Sequence, residues 1–344
     1  MRLSVVIPVH NGERYLQSTL RSAVNQGRRA DEIILVDDAS TDRSAAIAGS
    51  PEWNGSIKHF YNEKSTGFVD AWNRAIAKAT GDFVTILHQD DLLHPDYLAH
   101  IENALRHYPQ VRHIYAACNY IDEQGNIIWT PPRSEPAEPI LFSGKQYAKN
   151  YLNGMITNRH IHRCPGVTTS LDLLLNGCTY RKEAGHIADD DFFLRVGAFT
   201  DVVGISQPLA SFRIHSTSST SRVELLSLKL AQDYIFQLRY HSENDTLLDK
   251  EDIGKLSWQA VKFINLLLFQ SLLHERKDWV SKASQLRHEI EGILPGFMTK
   301  TLPVWARFLW QISSPNSKVS RLAFLYVKCL RTLIGIRDFL KHFR

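Results

Sequence analysis

Carboxylates set the chemistry this sequence could perform. Adjacent acids stand at Asp37-Asp38 and Asp90-Asp91, three in a row at Asp189-Asp190-Asp191, and His215 follows within a polar stretch, residues 212–219. Two carboxylates sharing a site suit a divalent cation with hard oxygen ligands, and a cation held that way commonly carries a phosphate. A separate carboxylate beside a hydroxyl can remove its proton. Three neighbouring aspartates repel one another, so one of them can keep its proton to unusually high pH. Each cluster also has a bland reading: Asp is frequent in turns, and Asp189 could cap a helix whose dipole Asp190 and Asp191 complement.

The elements that must position these acids are legible in the first 120 residues. Phe83-Val84-Thr85-Ile86-Leu87 has the length and β-branched content of a buried strand, and it stops at His88, Gln89, Asp90 and Asp91. Leu3–Ile7 is a first strand closed by Pro8, which cannot donate to a ladder. Glu32–Val36 is a second, running into Asp37-Asp38; Ile57–Tyr61 and Ile114–Cys118 are two more. Helices are predicted between them: one on Leu16, Leu20 and Val24, one from Gly67 to Ala79 closed by Gly81 as a left-handed cap, and one started by Pro95 and carried by Leu98, Ile101 and Leu105. Strands alternating with helices predict an α/β fold with a mostly parallel sheet flanked by helices. Both acid pairs then fall at C-terminal strand ends, the edge where open α/β sheets bind ligands. No Gly-x-Gly-x-x-Gly follows the first strand and no Gly-Lys-Ser/Thr loop occurs, which excludes the usual dinucleotide and P-loop fingerprints.

Composition narrows the class. The chain has 344 residues, 44% of them apolar, enough for a large α/β domain with an appendage. A formal charge of +4 gives no case for nucleic acid, and the basicity is local: residues 301–344 hold three Lys, five Arg and a single acid, Asp338. Cys118, Cys164, Cys178 and Cys329 lack CxxC spacing, which fits a reduced, cytoplasmic setting. The N-terminus does not read as a signal peptide, and no apolar run is long enough for a membrane span. His160-x-His162-x-Cys164 lacks the remaining spacing of a zinc site; His160, His162 and Arg163 are read as acceptor contacts or as having no role.

Several motifs now stand in one order: Ser4-Val5-Val6-Ile7-Pro8-Val9-His10-Asn11, Val36-Asp37-Asp38-Ala39-Ser40-Thr41-Asp42, Gly67 with Asn73, Gly81-Asp82, and Leu87-His88-Gln89-Asp90-Asp91. Over residues 1–220 the chain resembles the inverting family 2 glycosyltransferases of GT-A fold. The resemblance implies that the donor nucleotide is held by Pro8, Val9, Asn11, Asp37 or Asp38 on the base, Gly67, Asn73, His88, Gln89, Asp90 and Arg213. It implies Mn²⁺ or Mg²⁺ on Asp90, with Asp91 as helper or alternative, His215 completing the ligand set or donating to the diphosphate, and Arg213 offsetting charge on the leaving group. His88 replaces the first Asp of the family's Asp-x-Asp-Asp. The family's Glu-Asp pair ahead of an apolar, Arg-bearing helix falls on Ala188-Asp189, which makes Asp189 the expected general base and Asp191 the reserve. The implied activity is inverting transfer of a sugar from a nucleotide diphosphate, UDP being the expected nucleotide, to a hydroxyl of a surface glycan or lipid-linked acceptor. Two rivals are a non-catalytic nucleotide-sugar-binding or scaffold protein, suggested by His88 and Ala188, and a nucleotidyltransferase, whose glycine-rich basic loop is missing here.

Residues 1–222 are thus predicted to form the nucleotide-sugar-binding and catalytic domain. The stretch 122–185 is the least periodic, with a turn at Glu123-Gln124-Gly125-Asn126 and a loop at 130–139. From 223 to 344 apolar spacing predicts helices, and residues 319–343 read as a basic amphipathic helix, lying on the inner face of an anionic membrane or packed on its own domain.

Overall fold

The structure, a computed structural model, describes residues 1–132, 138–157, 159–218, 223–244, 247–273 and 277–297. The chain divides into two compact units, Met1–Lys182 with Ala188–Ser218 and Glu183–Ile187 with Ser219–Arg344. In the first unit the strands are β1 Leu3–Val9, β2 Glu32–Asp37, β3 Lys58–Tyr61, β4 Phe83–Ile86, β5 Leu92–Leu93, β6 His113–Ile121, β7 Ile127–Trp129, β8 Ile140–Phe142, β9 Val167–Ser170 and β10 Val202–Arg213. Its helices are α1 Leu16–Val24, α2 Ser44–Ala48, α3 Phe68–Ile76, α4 Tyr97–His107, α5 Gly144–Thr157, α6 Leu171–Asn176 and α7 Ala188–Val196. The second unit contains α8 Val223–Asn244, α9 Lys250–Leu273 and α10 Lys277–Ile293.

One mixed sheet runs in the order β3-β2-β1-β4-β9-β6-β10-β5, with β7 on β6 and β8 on β10. The predicted parallel part is present: β1 lies between β2 and β4, with Val9 opposite Asp37 and Val6 opposite Ile86. Every residue of β1 and β2 is buried, so these strands read as unbroken apolar runs instead of alternating ones. Their shared direction puts Asp37, Asp38 and the turn after β4 on one rim. Helices α1 and α4 cover one face, where Leu16, Leu20, Leu98 and Ile101 pack against Leu3, Val5, Ile7, Ile114 and Ala116.

The aperiodic stretch 122–185 supplies what sequence did not show. β9 inserts antiparallel to both β4 and β6 and joins the parallel half to the β6–β10 pair. Its Thr168 hydroxyl contacts Thr85 Oγ1 at 2.6 Å and Tyr97 Oη at 3.0 Å. β10 runs parallel to β6, and its register shifts on both sides of Pro208, where a strand proline is tolerated. α5 was not predicted at all. Gly81 also differs from expectation: it has no positive φ, and a Cβ there would stand 2.5 Å from Ser4 Oγ, so close approach to β1 explains the glycine.

α7, the acid-rich helix, is fixed from two sides. The fully buried Asp191 accepts from Arg195 Nε at 2.9 Å and Arg181 Nε at 3.0 Å, and Arg181 Nη2 takes its second oxygen. On the α5 side, Tyr151 donates to Asp190 Oδ1 at 2.6 Å, and the backbones close up where a Cβ on Gly144 would lie 1.8 Å from the Gly197 carbonyl oxygen.

In the second unit α8, α9 and α10 pack through Ala231, Leu238, Leu256, Ile264, Leu267 and Ile290, with the Tyr234 and Phe263 rings stacked at 5.2 Å. No described helix is long and apolar enough to cross a membrane. The amphipathic segment 319–343 lies outside the described residues.

Removing one partner of a buried charge cluster strands the others. Asp191→Ala should therefore cost about 3–5 kcal/mol and lower Tm by roughly 10 °C in calorimetry. An unchanged Tm would show that the arginine clamp does not hold α7.

Candidate active site

The rim is built first from two tight turns. Beyond β1, Asn11 adopts a φ of 53° and its side-chain oxygen accepts from Thr41 N–H at 2.8 Å; beyond β2, Ala39 has a φ of 59°. Pro8 and Val9 stay inside β1 as buried strand residues, and the Val9 carbonyl accepts from Asp38 N–H at 2.7 Å. Of the first acid pair, Asp38 is the structural member. Burial works against its charge, but bonds from Asn62, Thr66 and Ser65 overcome that and hold its carboxyl below the usual range. Asp37 accepts from Ser40 N–H through Oδ1, while its buried Oδ2 has no hydrogen-bond partner among the described residues. An orphaned carboxylate oxygen at a ligand edge is the group left for an incoming N–H.

The turn after β4 is tied to β1 by Gln89, whose amide receives from His10 N–H at 2.7 Å and donates to the His10 carbonyl at 3.1 Å. His88 stacks on Trp72 at 4.7 Å; burial lowers its pKa, against the raising pull of Asp90, so the imidazole is neutral. Gly67, with a φ of 86°, starts α3 beneath this turn. Asn73, expected as a nucleotide contact, donates from its amide to the Tyr180 carbonyl at 2.8 Å.

The second acid pair divides the same way as the first. Asp91 is buried, 1% exposed, and accepts the Arg213 backbone N–H at 2.8 Å. Burial first, and then the charge of Asp90, push its carboxyl well above the usual range. Its Oδ2, expected as a helper to the metal, is buried without a hydrogen-bond partner among the described residues. The expectation for Arg213 is corrected: its Nε donates to the Asp90 carbonyl at 2.8 Å and Nη1 to the Asp122 carbonyl at 3.0 Å, and the guanidinium lies over the Tyr15 ring. It positions the turn and is 4% exposed. Asp90 and His215 do meet, Oδ2 to Nε2 at 2.9 Å, with Nδ1 of the imidazole held by Thr217 Oγ1 at 2.9 Å. Among the described residues no three His, Cys, Asp or Glu gather as a complete metal cage. The Asp90–His215 pair offers one oxygen and one nitrogen donor, a set that fits a divalent cation whose other positions are filled by phosphate oxygens and water.

The third cluster contributes one available carboxyl. Asp191 is buried between Arg181 and Arg195, which corrects its standing as reserve base: both its oxygens are taken. Asp189 is partly buried and accepts from the Asp190 N–H at 2.9 Å. Burial, then the Asp190 charge, push its carboxyl up to about 7 against the pull of Arg163. Arg163, fixed by Nε to Tyr120 Oη at 2.9 Å, exerts its field on Asp189 and on Asp91. The Cys164 thiol, raised chiefly by burial, also feels both acids. The turn after β4 and the start of α7 therefore border one region. Trp72 extends the wall between them, stacked on His88 and edge-on to Tyr180 at 5.4 Å. Trp72, Tyr180 and the linking role of Gln89 were not found by sequence, because none belongs to a spaced motif.

Known proteins similar to this chain point to one family and one fold. A family description, Glycosyl transferase family 2, matches residues 4–165. An uncharacterized glycosyltransferase of Haemophilus influenzae is 32% identical over 149 residues, 42% of this chain and 58% of the relative. The putative glycosyltransferase EpsH of Bacillus subtilis is 28% identical over 233 residues, 64% of this chain and 63% of the relative. The chain thus spans less than two thirds of either relative's length. In fold it is similar to S. aureus TarS 1-349, solved in complex with UDP-GlcNAc, with a TM-score of 0.65, 17% identity and coverage of 94% of this chain and 92% of that one. With parallel β1, β2 and β4 presenting acids on one rim, the chain has a GT-A fold, and its residues 4–165 are similar to glycosyl transferase family 2.

Proposed function

We propose that the protein is an inverting glycosyltransferase that moves a sugar from a nucleotide diphosphate, UDP being the nucleotide favoured, to a hydroxyl of a surface glycan or lipid-linked acceptor. The observation that carries the reading is the pairing of Asp90 with His215 on the rim that also borders Asp189, a carboxyl pushed up to about 7. Asp37 Oδ2 takes a base N–H, and the turn of His88 and Gln89 frames the ribose side. Asp90 and His215 hold Mn²⁺ or Mg²⁺, which when bound supplies Lewis-acid stabilisation of the departing diphosphate. Asp189, deprotonated, removes the acceptor hydroxyl's proton as that oxygen attacks the anomeric carbon opposite the leaving diphosphate; the new C–O bond replaces the old with inversion.

A base near neutrality is matched to this task, whereas a purely binding protein has no use for a carboxyl raised so far, and this favours the enzyme over the scaffold. Placement at the inner face of a membrane through residues 319–343 belongs to the same proposal and rests on their composition alone.

Asp189→Asn should lower transfer by roughly 10²–10⁴-fold, the usual contribution of a positioned base, with UDP affinity unchanged in titration. Because the base acts only when unprotonated, the wild-type rate should rise with pH through about 7. A rate flat from pH 5 to 9 in ~0.1 M salt buffers, or full activity of Asp189→Asn, would remove Asp189 from the role. Asp90→Asn should instead weaken Mn²⁺-dependent UDP binding, by about tenfold or more, as loss of one charged ligand does. Equal UDP affinity with and without Mn²⁺ in wild type would refute the cation site.

A further inference from the structure

Beyond Arg213, the last ladder residue of β10, the chain runs out over the surface. Ile214, Ser216 and Thr217 are exposed, yet His215 between them is buried, 8% exposed. An exposed stretch keeps one imidazole turned inward onto Asp90 only if it is tied down. One tie is local, the Ile214 N–H donating to the Ile121 carbonyl at 2.8 Å. Another comes from far away in sequence.

Glu123 supplies it. Its Oε1 accepts the Ser216 N–H at 3.1 Å and the Ser216 hydroxyl at 3.2 Å, across 93 positions, and its Oε2 accepts Arg14 Nη2 at 2.6 Å, across 109. The Ser216 N–H first, and Arg14 next, hold this carboxyl below the usual range, so it is ionised at neutral pH. The residue is itself firmly seated. Asp122 Oδ1 accepts the Gln124 and Asn126 N–H groups at 2.9 and 2.8 Å, in a turn that Gly125 completes with a φ of 93°. Arg213 Nη1 donates to the Asp122 and Glu123 carbonyls at 3.0 and 3.4 Å.

Two ring contacts close the circuit. The Arg14 guanidinium lies over the Tyr15 ring at 4.9 Å, and that ring packs against the His215 imidazole at 4.9 Å. Glu123, Ser216, His215, Tyr15 and Arg14 thus form a clasp drawn from three segments distant in sequence. An exposed ion pair adds little to stability, and Arg14 is 51% and Glu123 30% exposed. What the clasp supplies is therefore placement.

We propose that Glu123, acting through Ser216 and backed by Arg14 and Tyr15, is a positioning residue that holds the His215 imidazole on Asp90 and so sets the cation site. Its consequence for binding rests on the cation reading above; its geometry does not. Outer partners of metal ligands commonly contribute roughly 10–100-fold in metal affinity.

The test uses the full chain with isotope-labelled histidine. Long-range proton–nitrogen NMR without metal reads the His215 ring, identified by the signals lost in His215→Asn. Glu123→Ala should move those signals toward a solvated histidine with Tm unchanged. With Mn²⁺ present it should bind UDP roughly tenfold more weakly than wild type, and without Mn²⁺ equally well. Glu123→Gln, whose amide oxygen still accepts from Ser216, should return both readouts most of the way to wild type. Should Glu123→Ala lower Tm, Arg14→Met, which opens the clasp at its exposed end, carries the same test. Unchanged His215 signals overturn the proposal, as does undiminished UDP affinity with Mn²⁺ where wild type depends on the metal. If Mn²⁺ leaves wild-type UDP affinity unchanged, the cation reading fails, and the His215 signals alone decide whether the clasp holds the ring.

Discussion

The bond on which the arrangement depends is the tie between Asp91 and Arg213. The Arg213 backbone N–H meets Asp91 Oδ1 at 2.8 Å, out of water, and its Nε meets the Asp90 carbonyl at 2.8 Å, partly buried. It joins the end of β10 to the turn after β4 across 122 positions of sequence. Together with the pairing of Ser211 to Leu92 in the β10–β5 ladder, it brings His215 back to Asp90. The cost is a carboxyl buried next to another, and the raised pKa of Asp91 is how that cost is expressed.

The same division recurs in each acid cluster. One member is tied into the fold and fixes the backbone: Asp38 by Asn62, Ser65 and Thr66, Asp191 by Arg181 and Arg195, and Asp91 through its Oδ1 by the Arg213 N–H. Its neighbour keeps an oxygen or a carboxyl for chemistry, as Asp37, Asp90 and Asp189 do. Burying polar groups is tolerable only when they are paired, so the paired acid makes the rigid seat on which its neighbour can be left incomplete. Pre-organisation of this kind is what an electrostatic site needs, since donors and acceptors that are already fixed do not have to be reordered during reaction.

The parts of the fold open to sequence reading were those with strong local pattern. β1, β2 and β4 are buried on both faces and show it as apolar runs that end in acids, which located the rim and both acid pairs. α5, β9 and β10 escaped because their pattern is weak: β9 is Val-Thr-Thr-Ser, and β10 is broken by Gly204 and Pro208. Within the clusters, sequence could not say which acid faces inward, because the answer comes from distant partners such as Arg213 and Arg181. Only Asp191 carried a local hint, an arginine four residues on at Arg195, the spacing of an ion pair on one helix face. The resemblance placed Asn73 and Arg213 on the nucleotide, yet their hydrogen bonds go to protein carbonyls. A residue type in a familiar position states a capacity to bond, and the packing around it decides the partner.

The most direct measurement is anomalous scattering from crystals of the full chain grown with UDP and Mn²⁺. If the Asp91–Arg213 tie builds the site, the manganese peak touches the Asp90 carboxylate and His215 Nε2 and also the diphosphate. A well-ordered UDP whose manganese contacts neither side chain would contradict the central claim.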